Sequence, residues 1–449
     1  MRPIILIIGK DARTDAITAA CAASPRQPML YALTETLIPG LVEKCHRVFT
    51  GSLTDLKRVV EVAQEIKPDL VIIGPEEPLA AGYVDELTSL GIPSFGPSRK
   101  LAAIESSKTW ARSLLDRHDI HGNPEYRVFE QATGIESYMQ GLESFVIKPD
   151  GLTAGKGVRV FGEHLDSIEE AMDYARSVLE QEGRLLVEER LEGEEFSLQT
   201  ITDGETAIHL PLVQDHKRAY AGDQGPNTGG MGSYSCPDFS LPFLEPEDLS
   251  RAHSINEQVI EALASDTGEP YRGVLYGGFM ATRDGLRLIE YNARFGDPEA
   301  MNVLPLLRGD FVELCSAVTE GRLGQVDCSF QPSATVCKYI VPSAYPQRST
   351  GRERIVLPDE YRDAKDLKWF WAACEQDQDE VYLTSSRSGA FVGIGDSLQS
   401  AEALAERAAQ KVQGPVRHRS DIGTAEVIDA RIRHMNSLRS GGRDLAASR

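Results

Sequence analysis

The sequence is short of three things: paired cysteines, long apolar runs and positive charge. Its seven cysteines are scattered over 449 residues without a CxxC pair, a pattern typical of reduced thiols in a cytoplasmic protein. No apolar run approaches the length of about 20 residues that a membrane-spanning helix needs. The formal net charge is −21, and such an excess repels nucleic acids and anionic membranes at long range. We therefore expect a cytoplasmic protein that binds neither nucleic acid nor membranes.

The first hundred residues alternate short apolar runs with helical patterns. The runs occupy residues 3–9 (PIILIIG), 27–33 (QPMLYAL), 69–74 (DLVIIG) and 92–96 (IPSFG). This alternation predicts a doubly wound parallel sheet with helices on both faces. Ligands of such sheets bind beyond the carboxyl ends of the strands. Residues 9–13 and 74–77 are therefore candidates for a substrate site.

The chain is too long for one ordinary core, and two more domains are predicted after the first. Residues 101–325 mix strands and helices and contain a glycine-rich segment, 219–232, interpreted as a long loop without regular structure. Residues 326–436 predict an α+β domain, with strands at 334–341, 355–357, 381–384 and 390–394 and one helix at 397–412. The polar segment 437–449 is expected to be a flexible tail. The predicted organisation is thus α/β and α+β multidomain, with domains at 1–100, 101–325 and 326–436.

The strongest local chemical signal is the segment 145–160 (FVIKPDGLTAGKGVRV). A predicted strand carries Lys148 and leads into a loop that contains Gly155, Lys156 and Gly157. Glycines let backbone amides approach phosphate oxygens, and lysines neutralise the phosphate charge. The segment is not a P-loop, because a glycine follows Lys156 where that motif has serine or threonine. A solvated hairpin would look similar, so the segment alone leaves both interpretations open.

The segment 184–197 (RLLVEERLEGEEFS) predicts a strand followed by acidic residues. A strand end can offer backbone groups to an adenine edge, and a carboxylate a few residues further on can accept both ribose hydroxyls. The carboxylates in question are Glu188, Glu189, Glu194 and Glu195. An acidic surface turn is the alternative interpretation of this segment.

A metal site is predicted in the segment 286–299 (LRLIEYNARFGDPE). Strand alternation places Glu290 and Asn292 on the same face. A carboxylate and an amide oxygen are ligands suited to Mg²⁺ or Mn²⁺ that bridges nucleotide phosphates. Arg294 lies two residues further on and could stabilise a phosphoryl group in transfer or hold a carboxylate. A polar hairpin edge is the alternative.

Taken together, these segments resemble the ATP-grasp superfamily and, within it, the phosphoribosylamine–glycine ligases. The closer resemblance is carried by residues 73–79 (IGPEEPL), 214–235 (QDHKRAYAGDQGPNTGGMGSYS) and 290–299 (EYNARFGDPE). It extends from the first strand to about residue 423. The resemblance implies a pre-ATP-grasp N-terminal domain, a two-lobed ATP-grasp domain and a C-terminal domain. It also implies the ATP-dependent ligation of glycine to 5-phosphoribosylamine in purine biosynthesis, through glycyl phosphate.

The resemblance implies a role for each candidate residue. The residues expected to bind ATP are Lys108, Lys148, Gly155, Lys156, Gly157, Glu188, Glu189, Leu191 and Glu195. The expected ligands of Mg²⁺ or Mn²⁺ are Glu290 and Asn292. The residues expected to face the reacting glycine are Asp215, Lys217 and Arg294. Those expected to hold phosphoribosylamine are Gly9, Arg13, Gly74, Pro75 and Glu76. The C-terminal domain would close over the site through residues 385–390 and 419–423.

One segment departs from the family pattern. Where the family usually carries Gly-Gly-Arg-Glu-His after its first strand, residues 10–15 read KDARTD, and only Gly9 and Arg13 fit. The loss of two glycines makes close approach of the backbone to a phosphate harder. The altered loop leaves open an ATP-grasp ligase with a different amine acceptor. A nucleotide-binding module without ligase activity is a further alternative, although such a module would not need Lys148, Lys156, Glu290, Asn292 and Arg294 together. Residues 417–419 (RHR) are interpreted as a solvated basic turn, and the protein as a monomer or homodimer.

Overall fold

The computed structural model describes residues 2–152, 157–348, 351–361 and 364–446. Two of the predicted ATP-binding residues, Gly155 and Lys156, lie outside the described residues. No helix in the described part of the chain is long and apolar enough to cross a membrane.

The N-terminal region is a parallel sheet with helices on both faces. Its strands are β1 (Ile4–Ile8), β2 (Met29–Thr34), β3 (Arg47–Thr50), β4 (Leu70–Ile73) and β5 (Ser94–Phe95), and their order is β3-β2-β1-β4-β5. Its helices are α1 (Ala12–Ala22), α2 (Pro39–Lys44), α3 (Leu56–Ile66), α4 (Glu76–Ala80) and α5 (Tyr83–Ser89). The predicted doubly wound sheet is confirmed. Strand β3 was not predicted, because it is an edge strand of which only Phe49 is buried.

Helices α6 (Arg99–Ser106) and α7 (Lys108–Arg117) lead into two antiparallel sheets. The first sheet has the order β6-β9-β7-β8, with β6 (Tyr126–Phe129), β7 (Phe145–Pro149), β8 (Arg159–Val160) and β9 (Leu185–Glu189). Helices α8 (Ile135–Gly141) and α9 (Ile168–Glu182) pack on it. The second sheet has the order β11-β10-β16-β17, with β10 (Gly193–Thr202), β11 (Ala207–His209), β16 (Gly273–Thr282) and β17 (Gly285–Asn292). Helix α10 (Pro246–Thr267) covers it. These sheets are the two lobes of the central region.

The glycine-rich segment between the two halves of the second sheet contains regular structure. Its strands are β12 (Gln214–Asp215), β13 (Arg218–Tyr220), β14 (Gln224–Asn227) and β15 (Gly232–Ser235). Strands β13 and β14 pair as a hairpin, so the prediction of a loop without regular structure at 219–232 is wrong. Gly222 and Asp223 have positive φ angles of 70° and 54°, and this left-handed backbone closes the turn.

The C-terminal region completes a sheet that begins in the central region. Its elements are α11 (Glu299–Val303), β18 (Leu307–Arg308), α12 (Phe311–Glu320), β19 (Ser329–Phe330), β20 (Ala334–Pro342), β21 (Leu367–Trp371), β22 (Cys374–Asp377), β23 (Glu380–Leu383), β24 (Gly389–Gly395), α13 (Leu398–Ala409), β25 (Val416–Arg417) and α14 (Ala425–Ala446). Short 3-10 helices span Leu304–Leu306, Leu323–Gln325 and Asp359–Tyr361. The main sheet has the order β12-β15-β20-β24-β21, with β25 beside β20.

Two details of this region differ from the sequence-based expectation. Residues 355–357 form only isolated bridges, whereas the unpredicted β21 is a full strand of the sheet. Helix α14 continues through residues 437–446, where composition favours a flexible tail. Strands β12 and β15 precede the predicted domain boundary at 325/326, yet they belong to the same sheet as β20, β24 and β21. The boundary therefore separates strands of one sheet.

Candidate active site

The predicted metal pair lies on β17, and a β-bulge sets its orientation. Regular alternation would place Glu290 and Asn292 on the face of Leu286 and Leu288, which is buried in the core. The register with β16 shifts by one residue at the bulge. Beyond it Tyr291 is buried, and Glu290 and Asn292 are half-buried on the opposite face. The predicted pairing of the two residues is thus observed, and the bulge supplies the reason that they leave the core.

The Glu290 carboxylate lines a cleft in which acidic side chains predominate. The lining residues are Glu195, Phe196, Ser197, Asp215, Lys217, Tyr276, Gly278, Ile289, Glu290 and Glu299. Three of the other predicted residues, Glu195, Asp215 and Lys217, therefore meet Glu290 there. Nζ of Lys217 lies 2.8 Å from Oε2 of Glu195, and this neighbouring charge raises the pKa of Lys217. Four carboxylates face one ammonium group, so the cleft attracts cations.

Two of these carboxylates lie deep in the cleft. Burial raises the pKa of Asp215, and the nearby Glu299 raises it further. Oδ1 of Asp215 is buried and has no hydrogen-bond partner within the described part of the chain. The Glu299 carboxylate accepts a hydrogen bond of 2.9 Å from the Tyr276 hydroxyl. Sequence reasoning missed Tyr276 and Glu299, although Glu299 ends the motif that carries the metal pair.

A buried ion-pair cluster fixes the lysine of β7 beside this cleft. Oε2 of Glu188 lies 2.6 Å from Nζ of Lys148. The same carboxylate accepts hydrogen bonds of 2.9 and 3.0 Å from the guanidinium of Arg112. Burial alone would raise the pKa of Glu188, but Arg112 and Lys148 lower it to about 2. The Glu188 side chain therefore positions Lys148, and only its backbone can serve an adenine. Arg112 was missed because its partners are distant in sequence.

The other predicted ATP-binding residues surround this cluster. Lys108 begins α7 and donates through Nζ to the Gly151 carbonyl at 2.9 Å. Burial lowers the pKa of Lys108, and Glu290 opposes that shift. The Glu189 carboxylate accepts a hydrogen bond from the Glu125 amide at 2.8 Å. The remaining described candidates are Gly157, which lies just before β8, and Leu191, which lies between β9 and β10.

Arg294 joins the metal strand to the N-terminal region. Its Nε donates to Oε2 of Glu76 at 3.1 Å, and its Nη2 donates to Oδ1 of Asn292 at 3.1 Å. Nη2 also lies 2.9 Å from Oε1 of Glu105. Burial acts to raise the pKa of Glu76, but the nearby charges of Arg294 and Arg13 together outweigh it and the pKa is lowered. Two predicted residues from distant segments, Glu76 and Arg294, therefore meet, and the unpredicted Glu105 joins them.

The first loop is close to Arg294, but its side chains are already paired. The Asp11 carboxylate caps α1 and accepts hydrogen bonds from the Thr14 amide at 2.9 Å and the Thr14 hydroxyl at 2.7 Å. Arg13 is buried; it pairs with Asp11 and donates to the Phe295 carbonyl at 2.6 Å. A side chain at Gly9 would collide with Thr14. The position that an anion would take at this helix end is thus filled by Asp11.

The remaining predicted substrate-binding residues follow β4. Gly74 continues the chain after β4, and its amide donates to the Ile8 carbonyl at 2.9 Å. Pro75 is the N-cap of α4. This arrangement places Glu76 at the carboxyl edge of the parallel sheet, where ligands of such sheets bind.

Arginines of the C-terminal region contact segments that adjoin the cleft. Nη1 of Arg387 donates to the Gly229 carbonyl at 2.6 Å and lies 3.1 Å from Oδ1 of Asp297. Arg419 is only 1% exposed and pairs with Asp223 at the turn of the β13–β14 hairpin, at 2.9 Å. The interpretation of residues 417–419 as a solvated basic turn is therefore wrong. Arg417 also faces inward and donates to the Ala219 carbonyl at 2.7 Å.

The fold and the site define an ATP-grasp protein: the second antiparallel sheet carries a cleft of four carboxylates and Lys217, and Lys148 of the first sheet lies beside it. The family models that match are Phosphoribosylglycinamide synthetase N domain at residues 3–105, its ATP-grasp (A) domain at 106–300 and its C domain at 335–425. The chain belongs to the phosphoribosylamine–glycine ligases, and the family predicted from the motifs is confirmed.

Curated relatives agree over the whole chain. The phosphoribosylamine–glycine ligase of Methanocella arvoryzae is 43% identical over 435 residues, which cover 97% of this chain and 99% of the relative. The enzyme of that name from Methanocaldococcus jannaschii is 43% identical, again over 97% of this chain and 99% of the relative.

Solved structures show the same fold. The phosphoribosylamine–glycine ligase of Thermotoga maritima has a TM-score of 0.78 at 25% identity, with 93% of this chain and 99% of that chain covered. A biotin carboxylase from Campylobacter jejuni has a TM-score of 0.72 at 14% identity, with 97% and 95% covered. The second likeness concerns the fold alone.

Proposed function

We propose that this chain ligates glycine to 5-phosphoribosylamine, with ATP as the energy source, and forms glycinamide ribonucleotide, ADP and phosphate. Family membership over the whole chain supports this reaction. The structural observation that carries the proposal is the contact of Arg294 with both Glu76 and Asn292. It places the edge of the N-terminal sheet, where an acceptor would bind, directly beside the metal pair, where phosphoryl transfer would occur.

On the nucleotide side, Lys108 and Lys148 contact the phosphates, and the family resemblance assigns the same role to Lys156. The backbone of residues 188–191 holds the adenine. Glu195 accepts hydrogen bonds from the ribose hydroxyls, and its ion pair with Lys217 must break for it to do so. Both lobes of this nucleotide site lie between the proposed domain boundaries near residues 100 and 325.

Glu290 and Asn292 hold a divalent cation, Mg²⁺ or Mn²⁺, and the described residues fit that role. Within the described part of the chain the Glu290 carboxylate makes no hydrogen bond, whereas Glu195 pairs with Lys217 and Glu299 accepts from the Tyr276 hydroxyl. Asn292 offers an amide oxygen on the same face. Such a cation, when bound, neutralises the phosphate charge and orients the phosphoryl group.

Glycine fits the acidic end of the cleft. Its ammonium group pairs with the unpartnered Asp215 carboxylate, with Glu299 close by. Its carboxylate is directed toward Lys217 and Arg294, so that an oxygen can attack the γ-phosphate of ATP. Gly9, Arg13, Gly74, Pro75 and Glu76 form the acceptor side.

The reaction proceeds in two steps at this site. A glycine carboxylate oxygen attacks the γ-phosphorus of ATP, and the bond from that phosphorus to the β,γ-bridging oxygen breaks. The products of this step are glycyl phosphate and ADP. The amine of phosphoribosylamine then attacks the glycyl carbonyl, loses a proton and expels phosphate. The protein contributes positioned cations and a site that excludes water, because glycyl phosphate would otherwise hydrolyse. In this proposal the β13–β14 hairpin, which directly follows Lys217, closes over the cleft during the reaction.

The direct test is ADP release from the purified protein with Mg²⁺ and ATP. Glycine and freshly prepared phosphoribosylamine are added separately and together. We expect stoichiometric ADP and glycinamide ribonucleotide only when both are present. A rate of ADP release that does not depend on glycine, or that phosphoribosylamine does not increase, would refute the proposal.

One observation favours a second candidate, a ligase of the same mechanism with a different amine acceptor. Asp11 fills the anion position at the start of α1, and Arg13 is turned toward the Phe295 carbonyl. A panel of amines with and without a phosphate, assayed with glycine and ATP, separates the two. The second candidate requires an amine that outperforms phosphoribosylamine in kcat/KM.

A further inference from the structure

A buried carboxylate that the reaction does not use directly lies next to the central arginine. Glu105 lies in the last turn of α6, one residue before its end, and is 9% exposed. Its Oε2 accepts a hydrogen bond of 2.8 Å from the Ala293 amide, and its Oε1 lies 2.9 Å from Nη2 of Arg294. It therefore holds both the backbone and the guanidinium of the segment that follows the metal strand.

Arg294 has two further side-chain partners, and the substrates would recruit both; its Nη1 also donates to the Phe295 carbonyl at 3.2 Å. Glu76 lies on the acceptor side, and Asn292 is a proposed metal ligand. When the amine substrate and the metal bind, the Glu76 carboxylate and the Asn292 amide oxygen are drawn to these new partners. Glu105 is buried behind them, so its bond to Arg294 remains when the site is filled.

The position of Glu105 in the chain strengthens this link. Lys108, which begins α7, follows it by three residues, and Ser107 caps that helix through the Trp110 amide at 3.1 Å. One short connection thus joins the residue that holds Arg294 to a lysine of the nucleotide side. A shift of α6 would move both groups together.

We propose that Glu105 is a positioning residue, which fixes the guanidinium of Arg294 toward glycine and the acceptor while Glu76 and Asn292 are engaged by ligands. This inference rests on the proposed function and extends it. Glu105 does not touch a reacting atom; it acts through Arg294. Misplacement of a charged group by about 1 Å can cost on the order of 100-fold in rate.

The test compares Glu105→Gln with wild type in steady-state assays of kcat and KM for each of the three substrates. The amide keeps the volume and can still accept from the Ala293 amide, but it removes the charge that holds Arg294. We expect kcat/KM for glycine and for the acceptor to fall about 10- to 100-fold, with higher KM values. The KM for ATP stays within about twofold of wild type.

A matched control separates positioning from stability. Asp248 on α10 is also a buried carboxylate bonded to an arginine, at 2.9 and 2.8 Å from Nη2 of Arg439, but it lies outside the cleft. Asp248→Asn should lower the unfolding temperature and leave all three KM values unchanged. A purely structural role for Glu105 would give the same pattern and would overturn the proposal.

A double-variant cycle with Arg294→Lys tests the path of the effect. If Glu105 acts through Arg294, the double variant is no slower than Arg294→Lys alone. The proposal is refuted if the rate loss of the double variant equals the product of the two single losses, or if Glu105→Gln has wild-type kinetics. Should Glu105→Gln not fold, Glu105→Asp is analysed in the same cycle. Wild-type turnover tests the proposed function separately, because it does not depend on any variant.

Discussion

Asp223, at the turn of the β13–β14 hairpin, pairs with two arginines that lie about two hundred residues further along the chain. Its Oδ1 lies 2.9 Å from Nη1 of Arg419, and its Oδ2 pairs with Arg431 on α14. Nδ1 of His216 lies 3.7 Å from Oδ1 of Asp223. The C-terminal region therefore holds the hairpin in place, and the conformation of the hairpin depends on charges that its own sequence does not contain.

Asp223→Asn should loosen this hairpin. The substitution leaves the buried Arg419 and the half-buried Arg431 without their shared anion, so we expect faster proteolytic cleavage within residues 219–227. Turnover should fall about 10-fold or more, because the cleft then admits water. Limited proteolysis and ADP release measure the two effects. Asp284→Asn, at the exposed turn of the β16–β17 hairpin, is the control and should change neither.

Glu188→Gln should cost both stability and nucleotide binding. It removes the anion that Arg112 and Lys148 share in a buried cluster, and breaking such a cluster costs about 3–5 kcal/mol in the free energy of unfolding. The KM for ATP should rise, because Lys148 loses its anchor. Urea unfolding and ATP titration measure these changes. Glu130→Gln, which breaks an exposed pair with Arg184, should cost less than about 1 kcal/mol.

The sequence was most informative where a feature is local. The buried apolar runs of β1 and β4 predicted the parallel sheet, because central strands of such sheets are apolar on both faces. The motifs likewise brought Glu195, Lys217 and Glu290 into one predicted site, and the structure places these three in one cleft.

What the sequence could not predict depends on contacts between distant segments. Arg112 resembles a surface residue of an amphipathic helix until Glu188 is placed beside it. The inward orientation of Arg419 depends on Asp223, and the orientation of Glu290 depends on a bulge that alternation does not reveal. Each of these requires the packed fold, because the partner that satisfies the charge is far away in the chain.

Glu290→Ala should abolish ATP consumption. Loss of a group that only supports a metal ligand costs about 10- to 100-fold, so loss of the ligand itself should exceed about 100-fold. The rate is measured at increasing Mg²⁺ and, separately, Mn²⁺, and the half-saturating concentration should rise for both. Ser197→Ala, elsewhere in the same cleft, serves as the control. ATP consumption that survives in Glu290→Ala would remove this residue from the metal site.

The buried Glu105 should make stability depend on pH. Burial raises the pKa of Glu105 to about 7, although Arg294 opposes the shift. Because the folded-state pKa lies above that of the unfolded chain, the stabilisation is full below about pH 4.5 and is lost as the pH rises to about 7. Glu105→Gln should lack this loss. Relative to the variant, wild type should lose about 3 kcal/mol of unfolding free energy between these pH values, as measured by urea unfolding.

The first loop tests where the phosphate of the amine acceptor binds. Asp11 occupies the helix end at which a substrate phosphate would be expected, and it is held there by Thr14 and Arg13. If the acceptor phosphate binds here, it must displace this carboxylate, and Asp11→Asn should then lower the KM for phosphoribosylamine several-fold by removing a negative charge from its path. The KM for glycine should not change. Glu35→Gln, which removes a charge from the nearby exposed partner of Lys10, controls for the general effect of charge at this edge. An unchanged KM for phosphoribosylamine in Asp11→Asn would mean that the phosphate binds elsewhere along the edge, with residues 74–76 as the remaining candidates.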